Sequence, residues 1–265
     1  THPESKTFSL RYMIGFAGGV AIWLGSLLLP SDVRWIAWLV AIAFEAFFFT
    51  RPRMIRELVN AGLDDHHLVE RQGIFTIIVL GEAFVKVLDD AQGTLLGVEQ
   101  IAFGIMGVAV LCSLWWLYFS DTAGKLYDVS SNLKATSYSY GHLVLPIALV
   151  TFGVAIKKLF AETINYPAAP LTEEYRLALT AAIALFLLAM ALVDYGLDDK
   201  LTPHSQIKRV YLYLGSAVVI VILGLVVTGV TATQFTGIIS VVVIALVAIN
   251  IYQAISSSEH HVETA

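Results

Sequence analysis

Charge and cysteine are both scarce in this 265-residue chain. Charged residues make up 14% of the sequence, whereas an ordinary soluble domain carries about 25%. Hydrophobic residues make up 57%, and the mean hydropathy is +0.76, which is more apolar surface than one soluble domain can bury. Cys112 is the single cysteine, so an internal disulfide is excluded. This composition indicates a protein with several membrane-spanning helices.

Several familiar motifs are also missing. No basic stripe suited to nucleic acid is present. The strings Gly-x-x-x-x-Gly-Lys, Gly-x-Ser-x-Gly and His-Glu-x-x-His do not occur, which removes the commonest nucleotide-binding, hydrolase and zinc-protease motifs. The sequence identifies no cofactor. His66 and His67 are adjacent and would point in different directions from a helix, so we predict no metal site there.

The apolar residues that are present form eight long runs. A helix needs about 20 such residues to cross the hydrocarbon core of a bilayer. The runs cover residues 10–29, 33–50, 68–88, 98–119, 141–160, 176–195, 209–230 and 235–254. They are continuous rather than alternating, which favours helices over a β-barrel. We therefore predict an all-α, polytopic transmembrane bundle of about eight helices in one domain, residues 1–255, followed by a flexible polar tail, residues 256–265.

Basic residues are distributed unevenly between the two sides that these runs define. The side holding the N-terminus carries eleven Lys and Arg residues, and the opposite side carries five. Residues 51–71 alone supply four of the eleven. Cytoplasmic loops of membrane proteins are enriched in Lys and Arg, and an even number of crossings places both termini on one side. We therefore predict that both termini face the cytoplasm.

The third apolar run contains a carboxylate far from the start of its helix. Glu70 and Arg71 open the run, and Glu82 follows about 18 Å further along a helix. A carboxylate inside a membrane is costly unless it is paired, protonated or hydrated, so it is a functional candidate by default. Two interpretations stay open. Glu82 forms an i,i+4 pair with Lys86, whose side chain extends to the outer interface, or Glu82 lines a polar cavity and titrates.

Tyr118 and His142 are further candidates, near the predicted cytoplasmic ends of the fourth and fifth helices. Tyr118 belongs either to an aromatic belt at the interface or, with Asp121, to a polar vestibule. His142 is either a hydrogen-bonded structural side chain or a proton relay, because histidine titrates near neutrality.

Glu45 is a pathway candidate in the second helix, where we expect it to form an ion pair with Arg71 or Arg53. Glu45 lies five residues before the segment Thr50-Arg51-Pro52-Arg53, which favours such a pair. Three other polar residues near the predicted interface are interpreted as structural: Asp194, Asn250 and Gln253.

Three segments together resemble the signature of a known family. Residues 65–82 read Asp-His-His-Leu-Val-Glu-Arg-Gln-Gly-Ile-Phe-Thr-Ile-Ile-Val-Leu-Gly-Glu, residues 114–119 read Leu-Trp-Trp-Leu-Tyr-Phe, and residues 140–143 read Tyr-Gly-His-Leu. In this order and spacing they resemble the bacterial low-temperature-requirement A (LtrA) membrane proteins. The resemblance covers residues 62–160 and implies a bacterial inner-membrane location. It also implies these signature positions: Glu70, Arg71, Gly81, Glu82, Tyr118 and His142.

The chain departs from the family pattern at several points. Gln72 stands where an aromatic residue is usual, and Ala83 stands where a small hydroxyl residue is usual. The family's usual N-terminal segment, with Glu-Leu-Phe-Phe-Asp near its start, does not occur here. We therefore expect a fragment or a shortened member, with more than eight helices in the whole protein. The family name describes a growth phenotype and implies no particular mechanism.

The first functional hypothesis is ion- or proton-coupled transport or permeation. Glu82 would be the titrating or ion-binding carboxylate. Tyr118 and His142, with Glu70 and Arg71, would form a cytoplasmic gate.

The second hypothesis is a non-transporting accessory protein that binds membrane lipid or a membrane complex, and a homo-oligomer is also open. A committed Glu82–Lys86 pair favours it, because the carboxylate then needs no cavity. A membrane-embedded enzyme is less favoured. It would need Glu70, Glu82 and His142 around one substrate, although the two carboxylates are about 18 Å apart along one helix.

Overall fold

Helices make up nearly all of the structure, a computed structural model that describes residues 3–49, 51, 65–89, 97–122, 124–128, 131–198 and 203–263. Within these residues there are eight helices: α1 (Pro3–Ser26), α2 (Arg34–Phe49), α3 (Asp65–Asp89), α4 (Val98–Thr122), α5 (Asn132–Asn165), α6 (Glu173–Gly196), α7 (Pro203–Val226) and α8 (Ala232–Glu263). Two short strands, β1 (Leu126–Tyr127) and β2 (Leu197–Asp198), pair antiparallel. The prediction of an all-helical protein is confirmed.

Five of the described helices, α4 to α8, are long and apolar enough to cross a membrane. Among the other three, α2 has only 16 residues, and α1 combines Arg11 with several glycines. Charged side chains lower the hydropathy of α3, which contains Glu70, Arg71, Glu82 and Lys86. Each predicted run corresponds to one described helix, but the number of crossings stays a prediction. The predicted polar tail overlaps the last turns of α8, which extends to Glu263.

The six helices α3 to α8 share one apolar core. In it, α6 packs between α5 and α7, while α4 packs against α8 and α3. Gly141 and Gly196 allow α5 and α6 to approach closely. A Cβ on Gly141 would lie 2.6 Å from Val193 Cγ2, and one on Gly196 would lie 2.6 Å from Tyr138 Cβ. No side chain larger than hydrogen fits at either position unless a helix moves.

The α1–α2 hairpin packs mainly on itself. A Cβ on Gly15 would overlap the Phe48 ring, and one on Gly19 would overlap the Glu45 carboxylate. The Gly-x-x-x-Gly step of α1 therefore gives the close helix approach that such steps predict. Towards the rest of the protein, the Tyr140 hydroxyl of α5 donates a hydrogen bond to the Ala46 carbonyl of α2 at 2.9 Å. This contact places the end of α2 beside the start of α5.

The helix ends are sorted into two groups, because neighbouring helices in the core run antiparallel. At one end, Gln100 of α4 donates to the Thr163 carbonyl of α5 at 2.6 Å, and Arg176 of α6 donates to the Gly224 carbonyl of α7 at 2.9 Å. At the opposite end, the last turns of α4 and α6 meet the first turns of α5 and α7. We call this second end the polar end.

Candidate functional site

Four charged side chains meet at the polar end: Asp121, Lys125, Asp194 and Arg209. We call them the ion cluster. Asp194 is fully buried, with 0% of its surface exposed, and Arg209 binds it through two atoms, Nη2 to Oδ1 at 3.0 Å and Nε to Oδ2 at 3.3 Å. Lys125 Nζ lies 3.5 Å from Asp194 Oδ1, and Arg209 Nε lies 3.9 Å from Asp121 Oδ2. These contacts join two acidic and two basic side chains of the described residues, so each carboxylate has a cation within 4 Å.

The β1–β2 ladder places Lys125 in this cluster. Gly124 has a φ of 73°, a left-handed conformation that glycine adopts without strain, and it turns the chain directly after α4. Leu126 then pairs with Asp198, and the Asp128 amide donates to the Gly196 carbonyl at 3.0 Å. The loop after α4 is thereby fixed against the end of α6, with Lys125 beside Asp194.

Gln206 connects the end of α6 to the start of α7. Its Nε2 donates to the main-chain carbonyls of Asp194 and Leu197. The last carbonyls of a helix have no partner within the helix, so a side chain that satisfies them stabilises the helix end. Arg209 follows within one turn of Gln206 and is thereby positioned over the Asp194 carboxylate.

Asp121 is hydrogen-bonded at both carboxylate oxygens. The Tyr213 hydroxyl of α7 donates to Oδ2, and Asn250 Nδ2 of α8 donates to Oδ1 at 3.2 Å. The Ser120 hydroxyl donates to Asn250 Oδ1 at 3.3 Å. A buried carboxylate is tolerated when its oxygens are satisfied in this way. Asp121 therefore joins α4, α7 and α8 at one point.

Tyr118 and His142 form a second buried polar group, one turn before Asp121 on α4. The Tyr118 hydroxyl lies 3.0 Å from His142 Nε2, and His142 Nδ1 lies 3.0 Å from the Tyr138 carbonyl. A carbonyl only accepts, so Nδ1 carries the hydrogen and Nε2 accepts from Tyr118. The Thr76 side chain of α3 lies beside Tyr118. The structure thus joins two of the predicted site residues across α3, α4 and α5.

Glu82 faces outward from α3. Its side chain is 60% exposed and lies 3.2 Å from Lys86 Nζ, whose side chain is 39% exposed. The adjacent Ala83 is buried against Gly153 of α5, which turns Glu82 away from the core. Within the described part of the chain, Lys86 is the one polar partner of Glu82. This geometry matches the i,i+4 pair, and a titrating role for Glu82 stays a prediction.

The other predicted site residues lie apart from the ion cluster. Glu70 is 62% exposed, with Oε2 3.3 Å from His67 Nδ1, and Arg71 is exposed on the same helix. Glu45 packs over Gly19. The expected Glu45–Arg71 pair is therefore not formed among the described residues, and Arg53 lies outside them. Over the same described ranges, no three His, Cys, Asp or Glu side chains are placed to hold a metal ion.

A cavity of about 620 Å³ opens beside the ion cluster, between the first half of α3 and the end of α4. We call it the α3–α4 groove. Nine of the described residues line it: Val69, Glu70, Gly73, Ile74, Ile77, Phe119, Thr122, Gly124 and Lys125. Lys125 thus borders both the groove and the ion cluster.

Sequence reasoning missed the ion cluster as a unit. It treated Asp194 and Asn250 as structural, and it used Lys125 and Arg209 only to orient the chain. One signal was available. Asp121 and Asp194 end two strongly apolar helices on the same predicted side, where Arg209 begins a third, so their charges can meet and cancel.

Known proteins provide two points of comparison. The family model for the Bacterial low temperature requirement A protein (LtrA) matches residues 1–249. An uncharacterized protein of Rhizobium meliloti (strain 1021) is 26% identical over 214 residues, which is 73% of this chain and 49% of that protein. The chain therefore spans about half the length of the curated relative it matches. No solved structure matches the chain.

Proposed function

We propose, from the premise that this chain belongs to the LtrA family, that it is a multi-pass protein of the bacterial inner membrane that couples proton or ion movement to transport or permeation. The family match confirms the resemblance seen in residues 65–82. The apolar helices indicate an integral membrane protein. The eight crossings, the cytoplasmic termini and the transport activity are parts of the proposal.

The positions of the helix ends support the proposal that both termini lie on one side of the membrane. The end of α2 lies beside the start of α5, and Asn250 near the end of α8 binds Asp121. Both terminal helices therefore have their outer ends at the polar end of the bundle. Lys125, Lys134 and Arg209 lie at this end too, as expected for a cytoplasmic face.

The ion cluster is the observation that carries the transport proposal. Asp121 and Asp194 are buried in helices apolar enough to cross a membrane. Ionisable groups in such helices are costly, and they commonly mark ion or proton pathways. Here they lie in a compact group with two cations, one of which contacts both carboxylates.

Arg209 gives the cluster two possible arrangements. It now lies nearer to Asp194, at 3.0 Å, than to Asp121, at 3.9 Å. A proton delivered to Asp194 neutralises the nearer of these two carboxylates, so the attraction of Arg209 towards Asp121 gains weight. The attraction between Lys125 and Asp194 weakens at the same time. Protonation of one buried carboxylate can thereby shift two cations, which is how a local charge change biases a two-state element.

The Tyr118–His142 contact supplies hydrogen-bonding groups next to the cluster. His142 accepts from Tyr118 in its neutral form, so it can take up a proton at Nε2 once Tyr118 turns away. In the proposal these two residues connect the ion cluster to α3, and the exposed Glu70 and Arg71 of α3 form the outer part of the cytoplasmic gate. Glu82 stays a candidate for the opposite part of the pathway, although its pairing with Lys86 weighs against that role.

Flux measurements on purified protein in liposomes test the proposal. Proton and cation flux would be followed under an imposed pH gradient or membrane potential. The variants would be Asp194→Asn, Asp121→Asn and Glu82→Gln, each checked for folding by size-exclusion chromatography and circular dichroism. Glu82→Gln tests the other candidate carboxylate. Glu173→Gln is the matched control, since it neutralises an exposed carboxylate in the first turn of α6.

We expect flux in the wild type and in Glu173→Gln, and its loss in the two aspartate variants. Flux that persists in both folded aspartate variants would rule out the cluster as the pathway. Loss of flux in Glu82→Gln alone would identify Glu82, and not the ion cluster, as the titrating or ion-binding site. No flux in the wild type under any gradient would favour the second candidate function.

That second candidate is a non-transporting accessory protein of a membrane complex. The exposed face of α3 favours it, because Ile74, Ile78 and Val85 are each more than half exposed beside the internally paired Glu82 and Lys86. A photo-crosslinking residue at Ile78 should capture a discrete membrane partner or a second copy of this chain. The same residue at Leu225, which is 61% exposed on α7, serves as the control. Equal, diffuse labelling at both positions would argue against a specific partner.

A further inference from the structure

The α3–α4 groove has the size and walls of a ligand site. Its volume of about 620 Å³ lies within the range of about 300–1,000 Å³ for small-molecule sites. Val69, Ile74, Ile77 and Phe119 give it apolar walls. Along α3, the stretch from Glu70 to Ile77 rises by about 10 Å, which is long enough for a headgroup and the first methylenes of an acyl chain.

Two opposite charges stand at the polar end of these apolar walls. Glu70 of α3 is 62% exposed, and Lys125 follows α4 across the groove with a side chain that is 20% exposed. The apolar residues Ile74 and Ile77 lie further along α3, away from the polar end. A ligand that fits this pattern has an apolar chain and a head that carries one positive and one negative charge.

We infer that the α3–α4 groove binds one zwitterionic phospholipid, with the phosphate on Lys125, the headgroup ammonium on Glu70 and an acyl chain against Ile74 and Ile77. A primary ammonium donates hydrogen bonds to a carboxylate, whereas a choline group has no N–H to donate and a glycerol headgroup has no positive charge. The site is therefore selective for an ethanolamine headgroup. This inference does not rest on the transport proposal, since lipid binding is measured without flux.

Lys125 links the lipid to the ion cluster. Its Nζ lies 3.5 Å from Asp194 Oδ1, a longer contact than the 3.0 Å between Asp194 and Arg209. A phosphate in the groove attracts the same ammonium group from the other side. Lipid occupancy therefore sets how strongly Lys125 holds Asp194, and it couples the composition of the surrounding membrane to the charge balance of the cluster.

Lipid retained by purified protein tests the inference. The full chain would be purified in a mild detergent, exchanged into micelles containing equal amounts of phosphatidylethanolamine, phosphatidylcholine and phosphatidylglycerol, and examined by native mass spectrometry. Lys125→Gln removes the phosphate partner, and Glu70→Gln removes the ammonium partner. Gly73→Leu fills the groove, because Gly73 lines it.

Two variants serve as matched controls. Lys134→Gln removes a lysine from the same end of the bundle, where it pairs with Asp128 at 2.7 Å, without touching the groove lining. Gly81→Leu makes the same glycine-to-leucine change on the same helix, at a glycine that does not line the groove. A Cβ there would meet nothing within 4 Å.

We expect one phosphatidylethanolamine per wild-type chain, and retention lower by about tenfold in Lys125→Gln, the effect of losing roughly 1.4 kcal/mol of binding. Gly73→Leu should lose the lipid as well, which keeps the test decisive if Lys125→Gln does not fold. Glu70→Gln should reduce the preference for ethanolamine over choline headgroups. Both controls should retain lipid as the wild type does.

Equal retention by Lys125→Gln, Gly73→Leu and the wild type would overturn the inference, and so would equal losses in the control variants. Both results would describe lipid that coats the bundle without a specific site. Competition with glycerophosphoethanolamine, which has the headgroup but no acyl chains, separates a lipid site from a site for a soluble zwitterion. The lipid assignment fails if this compound displaces the phospholipid at equal concentration.

Discussion

Two acid–base pairs in apolar helices, Asp194 with Arg209 and Glu82 with Lys86, have opposite surroundings. In the first pair the side chains are 0% and 12% exposed, and the carboxylate has further partners. In the second they are 60% and 39% exposed, and the two residues share one helix. The position of a charged residue along its helix does not determine whether its side chain is buried. Burial depends on whether the helix face that carries the residue is covered by neighbouring helices.

The energetic roles of the two pairs should differ accordingly. Breaking a buried pair leaves an uncompensated charge in an apolar interior, which costs about 3–5 kcal/mol. An exposed i,i+4 pair on a helix contributes only about 0.3–0.5 kcal/mol. Stability measurements on variants of the two pairs therefore test the comparison directly.

The largest effect is expected for Arg209→Met. This change leaves Asp121 and Asp194 without the cation between them, and the free energy of unfolding in mixed micelles should fall by about 3–5 kcal/mol. Arg209→Lys keeps the charge but cannot bind both oxygens in the same way, so it should lose less. A loss below about 1 kcal/mol in Arg209→Met would mean that the cluster is open to water.

Gly196→Ala should have the next largest effect. The added methyl group would lie 2.7 Å from the Lys134 carbonyl and 2.6 Å from Tyr138 Cβ, so α5 and α6 must separate just after Asp194. Overpacking of this kind costs about 1–3 kcal/mol. Gly215→Ala, where a Cβ would meet nothing within 4 Å, should instead gain about 0.5–1 kcal/mol from its helical position. Equal effects of the two changes would contradict the close approach of α5 and α6.

Tyr118→Phe should have an intermediate effect. It removes the hydroxyl that donates to His142 Nε2 while keeping the ring, and a lost hydrogen bond of this kind costs about 0.5–1.5 kcal/mol. Tyr211→Phe, at a position that is 70% exposed, is the control and should change little. The expected signature is a lower unfolding free energy in Tyr118→Phe alone, and identical values for both variants would speak against the buried contact.

The smallest effect is expected for Lys86→Gln, because the exposed pair contributes only about 0.3–0.5 kcal/mol. Unfolding of the purified protein in mixed micelles measures it. A loss well above about 1 kcal/mol would show that the pair is covered, as a partner helix on α3 would cover it. This result would also strengthen the accessory function over the transport function.

The sequence predicted the helices well because each is a continuous apolar run, and such runs depend only on local composition. It also indicated two candidates that do meet, Tyr118 and His142, from their places near the ends of the fourth and fifth apolar runs. The ion cluster was not predicted as a unit. The apolar runs indicate that Asp121, Asp194 and Arg209 lie on one side, but no local pattern specifies which faces of their three helices meet. The same applies to Glu45, which the packing of α1 placed over Gly19 rather than beside Arg71.

The β1–β2 ladder was missed for a different reason. Two residues per strand are too few for any alternating pattern, and Leu126 and Leu197 read simply as loop residues after apolar helices. The ladder forms because the close approach of α5 and α6 brings the two loops side by side. The ladder nevertheless determines where Lys125 lies. A strand pair of two residues each, with no sequence pattern of its own, therefore positions one of the four charged side chains of the ion cluster.

The ion cluster also has an order of assembly, because its members are made at different times. Tyr213 is separated from Asp121 by 92 positions in the chain, and Arg209 follows Asp194 by 15. During synthesis Asp121 leaves the ribosome well before Arg209 is added, whereas Asp194 and Arg209 emerge close together. The end of α4 must therefore hold its carboxylate without this arginine until α7 arrives. The ion cluster can form only after α7, which carries Arg209, has been synthesised.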